Sequence, residues 1–261
     1  MIMRFAFSGD IYVDDDKSTL DAFSDAPNFN RWMADTICPC MGKKVLEIGT
    51  GIGSLTRILV RGRHSYIASD LDFEHLERLK ARLAHRPNLK TAHIDASCAD
   101  QFRPFVGKVE TVVCLNVLEH IEDDLGALNN IHSALEDGGR AVILVPEGQG
   151  AYGTLDEALG HFRRYSEIQL KLRMQEAGFE VERVIRFNRV SRPGWILNGT
   201  ILKRRVISRF QLTNFDRFVW LWRRIDRMLP WSLTSIIAIG LKGPIHTMAQ
   251  QTAPDEVGAQ V

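Results

Sequence analysis

The stretch Val45-Leu-Glu-Ile-Gly-Thr-Gly-Ile-Gly53 sets Gly49, Gly51 and Gly53 two apart behind an apolar run, with Glu47 just ahead of them. Glycines so spaced let a backbone turn tightly and come close to a ligand. A dinucleotide fingerprint reads G-x-G-x-x-G, and here the third glycine comes one residue early. No Lys-Ser or Lys-Thr pair follows, which excludes a phosphate-gripping P-loop. Glu47 would repel a pyrophosphate but suits a ligand that carries an ammonium group. Asp70 follows the loop by about twenty residues, where an acid can accept hydrogen bonds from both ribose hydroxyls. Asp95, followed by Ala96, can receive an adenine amino group. An ammonium, a ribose and an adenine together describe S-adenosyl-L-methionine.

A second group of residues could act on whatever that ligand meets. His161 and Tyr165 stand four apart with Arg163 and Arg164 between them, after the Gly-rich stretch PEGQGAYGTLDEALG. His161 could take a proton, and either arginine could pair with a carboxylate or phosphate of a substrate. Tyr165 joins the catalytic candidates. Glu119-His120 supplies another possible base. Without a companion ligand set in the sequence, no metal is expected.

These residues need a frame. KKVLEIG, HSYIASD, LKTAHID, VETVVCLN and RAVILVP read as five strands, interleaved with helical stretches. FEHLERLKARLA repeats apolar residues at helical spacing behind Asp72 as N-cap. DLGALNNIHSALEDGG places Leu125, Leu128, Ile131 and Leu135 on one helical face and stops at Gly138-Gly139. Ser166-Glu-Ile-Gln169 is a capping box opening a helix that ends near Gly178. EVERVIRFN and TSIIAIGLKG supply two late strands. The alternation predicts an α/β fold, a doubly wound and mostly parallel sheet covered on both faces. Ligands of such sheets bind beyond the carboxyl ends of the strands, which gathers the glycine loop, Asp70, Asp95 and Asn116 along one edge.

Glu47-x-Gly49-x-Gly51-x-Gly53, Asp70, Asp95 and the segment LNVLEHIEDD resemble the class I S-adenosylmethionine-dependent methyltransferases, over roughly residues 28–243. Asn28-Phe29-Asn30-Arg31-Trp32 and Leu159-Gly-His-Phe-Arg-Arg-Tyr-Ser166 are similar to segments of a bacterial branch encoded beside, or fused to, type-2 glycosyltransferases. The resemblance implies a Rossmann-like seven-stranded sheet whose last strand is antiparallel. It implies the three glycines, with Thr50, against the methionine part of the cofactor and Glu47 near its amino group. Asp70 and Leu71 would meet the ribose end, Asp95 and Ala96 the adenine, and Asn116 and Val117 the cofactor's flank. Phe29 stands where the branch often has Tyr, so a hydroxyl is lost there while stacking is kept.

The rest of the chain sets bounds. A near-neutral composition, +1 over 261 residues, implies no global attraction to nucleic acid. Base-modifying signatures are missing: the fourth strand leads into NVLEH, not Asn/Asp-Pro-Pro-aromatic, and Pro39-Cys40 lies before the first strand. Cys38, Cys40, Cys98 and Cys114 fit no disulfide framework and read as reduced thiols of a cytoplasmic protein. No window reaches the roughly 18 apolar residues of a membrane span. The expected organisation is a helical cover over 1–42, a cofactor-binding core over 43–188, a basic Trp-rich helical insertion acting as a lid over 189–233, a last strand within 234–247, and a flexible tail over 248–261. Arg189 to Leu229 holds ten Lys or Arg and only two acids, Asp216 and Asp226. FVWLWRRIDRML places Phe218, Leu221, Trp222, Ile225 and Met228 or Leu229 on one face. Such a segment lies on an anionic membrane at its inner face, covers an apolar substrate, or docks on its own domain. The expected activity is methyl transfer to an oxygen of a small-molecule, sugar or lipid-linked acceptor. The alternatives are a non-catalytic partner in glycan or envelope assembly, and a nicotinamide-dependent oxidoreductase, which the early third glycine and Glu47 disfavour.

Overall fold

The computed structural model describes residues 26–243. Expectations for the start of the chain and the polar tail lie outside them. Seven strands form one sheet in the order β3-β2-β1-β4-β5-β7-β6. They are β1 (Lys44–Ile48), β2 (Ser65–Asp70), β3 (Leu89–His93), β4 (Val109–Leu115), β5 (Leu135–Pro146), β6 (Phe179–Phe187) and β7 (Ser235–Lys242). The first five are parallel, and β7 inserts antiparallel between β5 and β6. This is the Rossmann-like sheet with an antiparallel last strand that the sequence leads one to expect.

Alternation along the central strands builds two cores, because successive side chains point to opposite faces. Leu46, Val112, Cys114, Ile143 and Val145 pack on one face against Leu128 and Ile131 of α5 (Asp124–Ala134) and Leu170 and Met174 of α7 (Glu167–Glu176). Val45, Val113, Leu115, Val142 and Leu144 pack on the other against Trp32, Met33 and Ile37 of α1 (Pro27–Ile37) and Leu79 and Leu83 of α3 (Phe73–Leu83). Short helices α2 (Thr56–Leu59), α4 (Ala99–Phe102) and α6 (Thr154–Ala158) fill the connections. Asp72 caps α3 by accepting from Glu74 N at 2.7 Å, and Ser166 and Gln169 form the capping box of α7.

Two local expectations are corrected. The helix after β4 ends at Ala134, and Leu135 pairs with Val109 as the first residue of β5. A positive φ at Gly138 lets the chain bulge there before regular pairing resumes at Arg140. The Trp-rich helix is broken in two. After α8 (Arg192–Ile196) come a π turn (Leu197–Ile201), α9 (Arg209–Arg217), α10 (Val219–Ile225) and a 3₁₀ turn, Asp226–Met228. The break at Phe218 and the tighter last turn shift the stripe. Leu221, Trp222, Ile225 and Leu229 are half-buried as expected, whereas Val219 and Asp226 are also buried and Phe218 and Met228 face solvent.

This inserted segment docks on the core through polar pins. The Asp216 carboxylate accepts from Phe29 N at 2.8 Å and from the Asn28 side chain at 2.9 Å. Arg192 bridges Glu147 at 2.9 Å, and within the segment Asp226 accepts from Val190 N. Phe29, Trp32, Phe187 and Phe215 form an aromatic cluster between α1, β6 and α9.

Candidate functional site

The parallel order β3-β2-β1-β4-β5 brings five carboxyl ends to one edge of the sheet. A cavity of about 660 Å³ opens beyond β1, β4 and β5, within the usual range for small-molecule sites. Glu47, Gly49, Thr50, Gly51 and Asn116 line it, with α1 on one side and the inserted segment over the top.

The glycine loop needs its glycines. Gly49 has φ +72, and a Cβ there would stand 2.2 Å from Val117 Cγ2. Asn116 is held at φ +54, an uncommon conformation for a residue with a side chain, where β4 gives way to its loop. Gly51 N donates to Asp70 Oδ2 at 2.7 Å, so the loop and the end of β2 are locked together. Asp70 Oδ1 accepts from Asp72 N at 2.9 Å and faces His75 Nδ1 at 3.3 Å. Burial alone would raise this carboxyl, but the hydrogen bonds from His75, Asp72 N and Gly51 N hold it below the usual range.

Glu47 is buried and accepts three hydroxyls on Oε2, from Thr56 at 2.7 Å, Tyr66 at 2.9 Å and Thr50 at 3.3 Å. Burial raises its carboxyl despite those donors. A cationic ligand group in the cavity would favour its charged form.

Asp70, Leu71, Asp95, Ala96, Gly53 and Val117 lie outside the cavity wall. Asp95 is partly exposed, and its Oδ1 accepts from Ser97 N and Ser97 Oγ at 2.9 and 2.6 Å. Leu71 is exposed beside Asp70.

At the other side of the cavity the structure gathers residues distant in sequence. His161 Nδ1 stands 2.9 Å from Asp156 Oδ1, and Arg164 Nε donates to the same oxygen at 2.7 Å. Gly153 N and Trp195 Nε1 approach Asp156 Oδ2 at 3.1 and 3.3 Å. The Arg164 guanidinium lies 4.8 Å from the Trp195 ring centroid. Burial would raise Asp156, but His161 and Arg164 keep it below the usual carboxylate range. With Nδ1 turned to Asp156, Nε2 is left for the cavity.

His120 meets His161 edge to face, with centroids 4.7 Å apart. Although the residue is exposed, desolvation on its cavity side and the neighbouring His161 push it down to about 4, so it is neutral at neutral pH. Glu119 is fully buried beneath it, and neither carboxyl oxygen has a hydrogen-bond partner among the described residues. Burial pushes Glu119 up to about 8. Ligand-type atoms of Glu119, His120 and His161 lie within 4.8 Å of one another. The sequence offered no companion for the Glu-His pair, and the fold brings His161 beside it as a third residue with ligand-type atoms that could hold a cation.

The remaining candidates sit elsewhere. The Tyr165 hydroxyl is buried and donates to Asp124 Oδ2 at 2.9 Å, away from the cavity wall. Burial and Asp124 raise it well above its ordinary value. Arg163 also pairs with Asp124, at 3.0 Å, and donates to Glu122 O. Arg164 does line the cavity and keeps one nitrogen, Nη2, without a partner among the described residues. Sequence reasoning missed Asp156 and Trp195. The acid five residues before His161 was legible as a spacing, whereas nothing in the sequence aimed Trp195 at it.

Residues 28–184 match the family described as "Methyltransferase domain". A "Ubiquinone biosynthesis O-methyltransferase" of Vibrio parahaemolyticus is 30% identical over 99 residues, 38% of this chain and 41% of that protein. The chain thus aligns with about two fifths of the length of such relatives. In fold it is similar to the Haemonchus contortus phosphoethanolamine N-methyltransferase 2, with a TM-score of 0.59 at 17% identity over 89% of this chain and 59% of that one. It is also similar to the YcgJ protein of Bacillus subtilis, with a TM-score of 0.56 at 16% identity over 82% and 98% of the two chains. The first of these structures contains S-adenosylhomocysteine, and S-adenosyl-L-methionine is the cofactor of this fold family. A glycine loop locked to an acid at the end of β2, on the sheet order 3-2-1-4-5-7-6, agrees with the matched segment, and the chain belongs to the methyltransferase-domain family.

Proposed function

We propose that this protein moves a methyl group from S-adenosyl-L-methionine to an oxygen of a small-molecule, sugar or lipid-linked acceptor with an apolar portion. The observation that carries the reading is His161, backed by the buried Asp156, on the wall of the cavity that also holds the glycine loop. The three glycines and Thr50 would receive the methionine part, Glu47 its ammonium, Asp70 and Leu71 the ribose, Asp95 and Ala96 the adenine, and Asn116 and Val117 the flank. The methyl on a sulfonium is already activated, so holding oxygen, carbon and sulfur in line supplies much of the rate. The oxygen attacks the methyl carbon as the carbon–sulfur bond breaks, leaving S-adenosylhomocysteine. His161 takes the acceptor's proton on Nε2, and Asp156 stabilises the resulting imidazolium. Arg164 would bind an anionic acceptor group, and residues 189–233 would act as the lid. The O-methyltransferase relatives favour an oxygen acceptor. We place the protein in the cytoplasm, in peripheral contact with the inner membrane face through 189–233.

A second reading rests on the Glu119, His120 and His161 donor set. A divalent cation there would bind the acceptor oxygen and replace the base. Removal of divalent cations separates the two, since only the metal-assisted reaction would be lost.

Calorimetric titration with S-adenosylmethionine, S-adenosylhomocysteine and NAD tests the cofactor part. Micromolar binding of the adenosyl ligands alone, lost in Asp70→Ala, is expected. No adenosyl binding would overturn the reading and leave the non-catalytic alternative.

A further inference from the structure

The segment from the end of the π turn onward, Thr200 to Phe210, is exposed at every residue except Ile207. It carries Ile201, Leu202, Val206 and Phe210 among Lys203, Arg204, Arg205 and Arg209, with no acid. Ile201 is 66% exposed and Phe210 78%. Exposed apolar side chains interleaved with cations in one stretch need a reason on a soluble surface. The outer face of α10 repeats the pattern. Trp220 is 59% exposed, Arg224 lies over its ring at 5.6 Å, and Arg227 and the 79% exposed Met228 follow a turn later.

The only two acids of this inserted segment, Asp216 and Asp226, are turned inward to the backbones of Phe29 and Val190. Its outward charge is therefore wholly basic. Lys203, Arg204, Arg205 and Arg209 have no ion pair among the described residues. The stretch also borders the cavity: Ile207, Phe210 and Gln211 line it. Apolar and cationic side chains thus sit together on the stretch that borders the cavity.

We infer that the inserted segment, through the exposed stretch Thr200–Phe210 and the exposed Trp220 and Met228, seats the protein on an anionic lipid bilayer, so that the cavity receives its acceptor from the lipid phase. The inference deepens the reading given under Proposed function and rests on it. Cations near an anionic surface draw the protein down, and apolar side chains then enter the headgroup boundary. An acceptor dissolved in the bilayer need never cross water to reach the cavity.

The test is flotation of the whole chain with vesicles of phosphatidylcholine alone or mixed with phosphatidylglycerol, at low and high salt. Binding to the anionic vesicles only, weakened by salt, is expected. Lys203→Gln/Arg205→Gln/Arg209→Gln should lower partitioning about tenfold or more. Ile201→Ser/Leu202→Ser/Met228→Ser, with every tryptophan kept as reporter, should abolish quenching of tryptophan fluorescence by brominated lipid. Calorimetric binding of S-adenosylmethionine without lipid, retained in both variants, shows that they are folded and tests the cofactor reading separately. Wild-type protein that does not float with anionic vesicles would overturn the inference, as would variants that float like wild type. So would a nucleic acid that binds more tightly than vesicles and is lost in the charge variant.

Discussion

Replacing Glu119 with glutamine should reverse part of the protein's pH-dependent stability. Glu119 is fully buried with both carboxyl oxygens unpaired among the described residues, and it is pushed up to about 8 from an ordinary 4.5. A carboxyl raised in the folded state favours folding while it is protonated. Its contribution is complete below pH 4.5 and is lost as the pH rises to about 8. At about 1.4 kcal/mol per pH unit, the span of 3.5 between those values amounts to a loss of about 5 kcal/mol above pH 8. Glutamine keeps the shape and never ionises. The difference in unfolding free energy between Glu119→Gln and wild type should therefore grow by about 4 kcal/mol from pH 5 to pH 8.5, in the variant's favour. Urea denaturation at several pH values measures it, with a chelator present so that no divalent cation neutralises Glu119. A constant difference across that range would refute the reasoning, because it would mean that Glu119 finds a partner or water when folded.

Three further outcomes follow from the same geometry. His161→Ala should lower turnover by about 10²–10⁴-fold, the usual contribution of a general base, and Asp156→Asn should lower it in the same direction, while calorimetric affinity for S-adenosylmethionine changes little. Tyr165→Phe should leave turnover near wild type but cost about 1–2 kcal/mol in denaturation, because the Asp124 oxygen that accepts from its hydroxyl loses a buried donor. Gly49→Ala should weaken calorimetric binding of S-adenosylmethionine at least tenfold, since a methyl group would meet Val117 at 2.2 Å on a backbone held at φ +72.

The local signals in the chain were strong because they follow from short-range chemistry. Alternating apolar strands, the Asp72 and Ser166 caps, and glycines set ahead of a helix each depend on a few neighbouring residues, and all are present in the structure. The end of the helix at Ala134 was less legible: Leu135 fits the helical stripe, and only its pairing with Val109, a strand away, draws it into β5. The face of α10 and the turn after it was legible at its centre, where Leu221, Trp222, Ile225 and Leu229 are half-buried, but not at its ends, since the inward turn of Asp226 depends on its bond to Val190 N.

By itself the sequence determined the order of strands and helices, the glycine loop, and the acids at the strand ends, because hydrophobic period and turn chemistry are local. The tertiary structure alone decided which charged groups meet. Asp156, His161, Arg164 and Trp195 converge only because the loops after β5 and β6 fold over the same sheet edge. It likewise turned Tyr165 and Arg163 toward Asp124 instead of the cavity, and brought His161 beside Glu119 and His120. Such meetings depend on chain reversals and packing across dozens of residues, where no spacing rule survives.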